Sequence, residues 1–243
     1  MSLSAIPPRT HFFHAQAIGA GGRITRPFDE LLEVQAATAL PIGGGQGSSR
    51  VENFRFKNIL SFRSADAHVT GSQSKDGKSF ATLAAVAIED LNIMDVITAK
   101  RIVSRITSHH GIDDTEPSIT PLGSRFEGLR IAGCELEIEL DTHFPPPRDT
   151  YQGFKKENAR LTESKGLIVT TLVKQIDRGK KSCNELKISG NVIEVPHFGR
   201  IYLAQFLLTS YSRRLVMLRA DLGCPVSGTL DVGDAQGNGT TYP

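Results

Sequence analysis

The stretch of sequence that decides the fold is Leu129-Arg-Ile131-Ala-Gly133-Cys134-Glu-Leu136-Glu-Ile138. Apolar residues at every second position place their side chains on one face of a β-strand. The small Ala-Gly pair between the two alternating runs is typical of a bend, and the alternation resumes after it. The stretch therefore predicts a strand, a bend and a second strand.

Three other segments share this apolar pattern. They begin at Phe54, Leu91 and Leu186, which gives spacings of 37, 38 and 57 residues between successive copies. The four copies cover 54–69, 91–106, 129–144 and 186–203, and the interval 145–181 is read as an insertion. A strand-bend-strand unit cannot bury its apolar face alone, so the units must pack on one another. We therefore predict a single all-β domain over 1–243, either an antiparallel sandwich or barrel, with a β-solenoid as the alternative.

Some segments depart from the strand pattern. Pro27 followed by Phe-Asp-Glu-Leu-Leu-Glu predicts a short helix within 27–40, and the charged part of the insertion predicts a second one. The glycine clusters at 19–22 and 43–47 are typical of loops. The Gly-rich end, 233–243, predicts a flexible tail.

The charge balance argues against two classes of partner. The chain has 28 basic and 26 acidic residues and a formal net charge of +2, which favours neither nucleic acid nor an anionic membrane surface. The sequence offers no apolar run of about 20 residues that could span a membrane. The start of the sequence lacks the pattern of a signal peptide. We therefore expect a soluble, cytoplasmic protein.

The three cysteines, Cys134, Cys183 and Cys224, are an odd number without a Cys-x-x-Cys spacing. This spacing predicts reduced thiols rather than a disulfide framework or a zinc site.

Two sets of segments resemble known proteins. The run from Ala84 to Ser104, with Gly128-Leu-Arg-Ile-Ala-Gly133 behind it, resembles the choice-of-anchor P proteins of bacteria. Arg50-Val-Glu-Asn-Phe-Arg-Phe56 and Val195-Pro-His-Phe-Gly-Arg-Ile201 are similar to uncharacterised bacterial proteins. The resemblance implies a bacterial β-protein of unknown function, and it implies no site residue.

The segment Gly71-Ser-Gln-Ser-Lys-Asp-Gly77-Lys78-Ser79 comes close to a phosphate-binding loop. Such a loop needs a glycine, four residues and then Gly-Lys-Ser or Gly-Lys-Thr, and here the first glycine lies one residue too early. No sequence typical of a parallel α/β sheet surrounds it. The Asp76-Gly77 pair instead predicts a hairpin turn.

Two Asp-x-His pairs are candidate metal ligands. Asp66-Ala-His68 and Asp141-Thr-His143 occupy equivalent positions in the first and third copies. Residues two apart share a face of a strand, so neighbouring strands could bring two carboxylates and two imidazoles together around a divalent metal. The alternative is that these side chains face solvent, because the apolar residues between them form the buried set.

His109 and His110, followed by Asp113 and Asp114, form a second group of candidate ligands. Adjacent residues of a strand point to opposite faces, so joint binding by the two histidines would need an irregular backbone. A solvated loop is the alternative interpretation.

A third polar group lies near the end of the chain. If Arg213-Arg214-Leu-Val-Met-Leu-Arg219 is a regular strand, one of its arginines is partly buried and needs a carboxylate partner. No function is assigned to these arginines.

These patterns do not establish what the chain does. The sequence shows no nucleophile elbow and no cofactor motif, so we predict a non-catalytic binding or self-assembly module rather than an enzyme. Exposed strand edges would permit a homo-oligomer. A small-molecule ligand is left open. The alternative is a metal-binding protein or metal-dependent enzyme that uses the Asp-x-His pairs.

Overall fold

The computed structural model describes residues 10–157, 163–164, 166–179, 186–210 and 212–242. Within these ranges the chain forms strands and one short helix, α1 (Tyr151–Glu157). The strands, in chain order, are β1 (Thr10–Arg26), β2 (Glu30–Gln35), β3 (Thr38–Ala39), β4 (Gly45–Phe56), β5 (Leu60–Gln73), β6 (Ser79–Ile93), β7 (Ile97–Gly111), β8 (Ser118–Thr120), β9 (Arg125–Glu127), β10 (Leu129–Ile131), β11 (Cys134–Leu140), β12 (Glu163–Ser164), β13 (Leu167–Thr171), β14 (Val173–Arg178), β15 (Lys187–Ser189), β16 (Val192–Val195), β17 (Gly199–Leu208), β18 (Arg213–Leu222) and β19 (Ser227–Tyr242).

The strands form two antiparallel sheets. The first sheet has the order β12-β13-β17-β18-β19-β1-β2, with β3 beside β1 and with β16 and β15 beside β17. The second sheet has the order β14-β11-β10-β7-β6-β5-β4, with β8 and β9 beside β7. Neither order of described strands closes on itself. The prediction of an all-β sandwich is therefore confirmed, and the described strands form neither a closed barrel nor a solenoid.

Each of the four segments that share the apolar pattern folds as a strand, a bend and a strand. The strand pairs are β4 and β5, β6 and β7, β10 and β11, and β15 and β16. The bend of the third pair is the two-residue turn Ala132-Gly133, in which both residues have positive φ, at 48° and 76°. This backbone matches the twist of a tight hairpin. That the four segments are copies of one internal repeat stays a prediction.

The core lies between the two sheets and follows from the alternation of the strands. In β6 the alternate residues Ala84, Val86 and Ile88 are buried, whereas the residues between them are partly exposed. The Ser104 hydroxyl of β7 donates a hydrogen bond across the sandwich to the Leu215 carbonyl oxygen of β18, at 3.3 Å. The apolar faces of the two sheets therefore pack directly on one another.

A line of interrupted pairing, which we call the crease, crosses the first sheet. It consists of Ala204 of β17, Met217 of β18, Gly233 of β19 and Gly19 of β1, which the strand ladders skip while pairing the residues on either side. The backbone is left-handed at Ala204 (φ 45°) and at Gly233 (φ 70°). Four neighbouring strands thus change direction at the same level.

The crease shifts the alternation of β19 by one residue. Val232 and Ala235 are both fully buried in the core, although they are three residues apart. On a regular strand, residues three apart would point to opposite faces. Asp231 and Asp234 consequently share the outer face of the first sheet, the face that points away from the second sheet.

Three predictions about local structure are wrong. The segment 27–40 forms β2 and β3 rather than a helix, because β2 pairs with β1 and buries Leu32 against the core. The glycines at 19–22 lie within β1 rather than in a loop. The predicted tail at 233–243 belongs to β19 as far as Tyr242, because that strand pairs with β18 on one side and β1 on the other. Tertiary pairing overrides local propensity in all three.

The insertion 145–181 is built into the sandwich where it is described. It contains α1, it adds β12 and β13 to the first sheet, and it adds β14 to the edge of the second sheet. The prediction of reduced thiols is wrong for Cys134, which is disulfide-bonded, whereas Cys224 is a free and exposed thiol. In the described part of the chain, no helix has the length and apolar character that a membrane span requires.

Candidate functional site

The first Asp-x-His pair lies on the outer face of the second sheet. Asp66 is half-exposed, and its carboxylate forms an ion pair with the Arg50 guanidinium at 3.1 Å. His68 is exposed two residues further along β5. The pair shares a face, as the sequence predicts, and that face is open to solvent.

The second pair lies elsewhere. Asp141 follows β11, its carboxylate receives a hydrogen bond from Arg148 at 2.5 Å, and His143 is exposed. Three strands, β10, β7 and β6, stand between β11 and β5, which corresponds to about 19 Å at the usual strand spacing. The structure therefore does not bring the two pairs together.

His109 and His110 point to opposite faces of β7. His109 is exposed, whereas His110 is buried at 5% exposure and its Nε2 atom lies 3.1 Å from the Asp114 carbonyl oxygen. Among the described residues, no group of three or more His, Cys, Asp or Glu side chains could hold a metal ion. A metal at any one of these positions stays a prediction.

The segment that resembles a phosphate-binding loop is the hairpin between β5 and β6. The Gly77 backbone N–H donates to the Ser74 carbonyl oxygen at 3.0 Å, and the Asp76 carboxylate accepts from the Lys78 backbone N–H at 3.1 Å. These bonds make an ordinary turn at Asp76-Gly77, as predicted.

An apolar cavity lies on the outer face of the first sheet, and we call it the groove. Its volume is about 630 Å³, within the range of small-molecule sites. Parts of β1, β2, β18 and β19 form it. The lining residues are Ile18, Gly21, Gly22, Arg23, Leu31, Leu32, Glu33, Val34, Arg214, Thr229, Asp231 and Asp234.

The floor of the groove is a glycine. Gly21 pairs with Asp231 of β19, and directly opposite residues of an antiparallel pair place their side chains side by side. A Cβ atom at Gly21 would lie 3.1 Å from Val34 Cγ1 and would project into the groove. Gly21 therefore places no side chain beside the Asp231 carboxylate, and Val34 lies close to the strand backbone there.

The walls are aliphatic. Leu31 and Val34 of β2 are 67% and 56% exposed and line the same groove. Ile18 of β1 completes the apolar lining. A ligand that filled the groove would remove all three side chains from water.

The polar wall is built on Arg214. Its guanidinium donates to the Asp234 carboxylate through Nε at 2.9 Å and 3.0 Å and through Nη2 at 2.7 Å. The Asp234 side chain is 10% exposed, and hydrogen bonding to Asp234 raises the pKa of Arg214. This ion pair is largely satisfied within the protein.

Asp231 differs from Asp234. Its Oδ2 atom lies 3.6 Å from Arg214 Nη2, too far for a hydrogen bond. Its Oδ1 atom is buried and has no hydrogen-bond partner in the structure. Burial raises the pKa of the Asp231 carboxyl, although Arg219 and Arg214 oppose the shift. The groove therefore contains one carboxylate whose hydrogen-bonding capacity is not used.

Sequence reasoning missed this site. The residues that line it lie on β1, β2, β18 and β19, which are four separate stretches of the sequence. One local signal was present, because Asp231-Val-Gly-Asp234 places a glycine between two acids three residues apart. A glycine inside a strand often marks an irregularity that redirects side chains.

Comparison with known proteins identifies a family but no relative of known function. Neither a curated protein nor a solved structure matches the chain. The family matches residues 11–157 and 146–209, a region that includes Gly21, Leu31 and Val34 of the groove but ends before Arg214 and Asp231. This family match does not test the resemblance to choice-of-anchor P proteins, which stays a prediction. Since the match covers more than half of the sequence, the chain belongs to the family described as Domain of unknown function (DUF8256).

Proposed function

We propose that this chain is a non-catalytic binding module and that the groove on the first sheet holds its ligand, a small molecule. The size of the groove, its aliphatic walls and its few converging polar groups are the usual attributes of a ligand site. Of the described residues that line it, none is Ser, Cys or His. This composition supports binding rather than nucleophilic catalysis.

The open floor at Gly21 carries the proposal. Packing explains why the neighbouring residue, Gly22, is a glycine, because a Cβ atom there would lie 2.2 Å from the Thr229 carbonyl oxygen. Gly21 is packed less tightly, since the atom nearest to an added Cβ would be Val34 Cγ1 at 3.1 Å, and this exposed side chain can move. A glycine within a strand often marks a place where a ligand approaches the backbone. We take the missing side chain as room for a ligand.

Binding of the neutral fluorescent dye Nile red tests this proposal. We expect saturable binding to the unmodified chain and a dissociation constant at least about tenfold higher for Gly21→Val, because the valine fills the floor. Gly21→Ala should give a smaller increase. Gly43→Val is the matched control, because a Cβ atom at Gly43 meets nothing within 4 Å. Equal binding by Gly21→Val and Gly43→Val would refute the proposal.

A second candidate function is self-assembly. β2 is an edge of the first sheet, and it exposes Leu31 and Val34. An unpaired edge strand with apolar side chains can pair with another copy. The same two side chains thus serve either a ligand or a second chain, and the state of association separates the two functions.

The cysteines bear on the compartment in which the chain folds. The sequence favours the cytoplasm, whereas the disulfide at Cys134 favours an oxidising compartment, in which disulfides persist. We give the disulfide more weight, because it is a covalent feature of the fold.

A further inference from the structure

We propose that the ligand of the groove carries a cationic group, an ammonium or a guanidinium, on an apolar body, and that Asp231 binds the cation. This inference rests on the proposed function of the groove. It adds the chemical class of the ligand.

The charges of the lining favour a cation over an anion. Two arginines, Arg23 and Arg214, face three carboxylates. Arg23 is engaged by Asp29 at 2.7 Å, and Arg214 is engaged by Asp234. An anion would therefore meet arginines that already have partners, together with the charge of Asp231.

Asp231 is the carboxylate of the groove that forms a distant ion pair but has no hydrogen-bond partner. Arg219, opposite Asp231 on β18, forms an ion pair with Asp221 at 3.2 Å. Arg214 stays beyond hydrogen-bond distance of Asp231 and donates to Asp234 instead. A ligand N–H group placed over Gly21 would lie beside the Asp231 carboxylate, where it would form a charge-assisted hydrogen bond.

The apolar walls specify the rest of the ligand. Leu31 and Val34 lie on β2, on the opposite side of the Gly21 floor from Asp231. A ligand with its cation at Asp231 would thus extend its apolar part over β2 and cover the exposed aliphatic side chains. Hydrophobic contact provides affinity, and the single carboxylate provides orientation.

Three compounds that share one body test the inference: 4-phenylbutylamine, 4-phenylbutanol and 4-phenylbutanoate. Each is titrated at pH 7 as a competitor of Nile red, where the amine is an ammonium because its pKa is near that of lysine. We expect the amine to bind at least about tenfold more tightly than the alcohol. The carboxylate should bind most weakly.

Variants assign the effect to Asp231. Asp231→Asn should remove the preference for the amine and leave the affinity for the alcohol within about twofold. Asp66→Asn is the matched control, because it removes a carboxylate from the outer face of the second sheet, and it should retain the preference. Circular dichroism confirms that each variant is folded.

The outcomes separate the two proposals. If all three compounds bind equally and Gly21→Val still blocks them, the groove is a ligand site and the cation inference is wrong. Tighter binding of the alcohol or the carboxylate would also overturn the cation inference, as would an amine preference that survives in Asp231→Asn. If Gly21→Val does not alter binding of any compound or of the dye, the proposed function fails and the inference fails with it.

Discussion

At the scale of single residues, two aspartates of one strand differ in how their carboxylates are hydrogen-bonded. Asp234 completes the hydrogen bonds of Arg214, whereas Asp231 keeps a buried oxygen without a partner. Binding sites often retain groups that lower the stability of the free protein. The effect of each carboxylate on the free energy of unfolding therefore tests which of the two stabilises the fold.

We expect Asp234→Asn to lower the free energy of unfolding by about 2 kcal/mol at pH 7, because Arg214 loses charge-assisted hydrogen bonds. Asp231→Asn should leave it unchanged or raise it. The pKa of Asp231 is raised by burial, so ionisation at pH 7 disfavours the folded state, and a neutral amide removes this effect. Urea unfolding measures both variants. Equal losses would contradict the distinction.

A buried histidine makes stability depend on pH. His11 is 8% exposed and stacks on Phe80 with ring centroids 4.0 Å apart. Burial, followed by the proximity of His110, lowers the pKa of His11 from 6.5 to about 4. Between pH 6.5 and pH 4, His11 is protonated in the unfolded chain but neutral in the folded chain. The free energy of unfolding therefore decreases as the pH falls from 6.5 towards 4.

His11→Phe should remove this contribution. Between pH 7 and pH 5 the unmodified chain should lose about 1–2 kcal/mol more than the variant does. His109→Gln is the control, since His109 is exposed, and it should behave as the unmodified chain. Urea unfolding at the two pH values gives the comparison. An equal loss in all three proteins would show that His11 titrates normally.

At the scale of elements, the crease determines the groove. It shifts the alternation of β19, so Asp231 and Asp234 reach the same face as Arg214. β18 shifts as well, and Met217 and Leu218 are both buried. The expectation that a partly buried arginine of this strand needs a carboxylate fits the contact of Arg214 with Asp234. It does not fit Arg213, which is 1% exposed and donates to the Thr209 carbonyl oxygen instead. The regular strand assumed for Arg213–Arg219 is interrupted at Met217.

Gly233 is the position where the crease needs glycine. An L-residue in the left-handed region costs about 1–2 kcal/mol, and a Cβ atom at Gly233 would lie 3.2 Å from Met217 Cβ. We expect Gly233→Ala to lower the free energy of unfolding by about 2–3 kcal/mol. Gly133→Ala is the matched control, with a φ of 76° and nothing within 4 Å.

Thermal and urea unfolding of the two alanine variants distinguish strain from crowding. Gly133→Ala should show the cost of the backbone alone, about 1–2 kcal/mol. A loss for Gly233→Ala no larger than that for Gly133→Ala would mean that Met217 moves aside easily. The crease would then tolerate side chains.

Sequence patterns predicted the elements that depend on local alternation. The hairpin of Leu129-Ile138 and the turn at Asp76-Gly77 are visible in the sequence, because period-two alternation and turn residues are local signals. The local sequence does not predict a strand at β2 or at the end of β19. Both segments look unlike strands, and the pairing offered by β1 decides their conformation. The groove could not be predicted for the same reason, because the pairing of β1 with β2 and β19 brings the lining residues together.

At the scale of the whole molecule, the state of association separates the ligand proposal from the self-assembly alternative. If the groove serves a small ligand, the chain should remain a monomer of 26.4 kDa from 1 to about 100 µM in size-exclusion chromatography with light scattering. A mass that rises with concentration, and that Leu31→Lys returns to the monomer value, would instead support pairing through β2. Val169→Lys, at another exposed position, serves as the control.

The pairing of β1 with β19 has a consequence for biosynthesis. The second sheet consists mostly of strands that neighbour one another in the sequence, so it can form while the chain is still being translated. The centre of the first sheet cannot, because Thr10 pairs with Tyr242 and β18 is joined to β1 only through β19. Contacts between residues so distant in sequence form slowly. Until β19 has emerged from the ribosome, the edge of β1 that pairs with β19 is open. A chaperone that shields this edge should help the chain most during that interval.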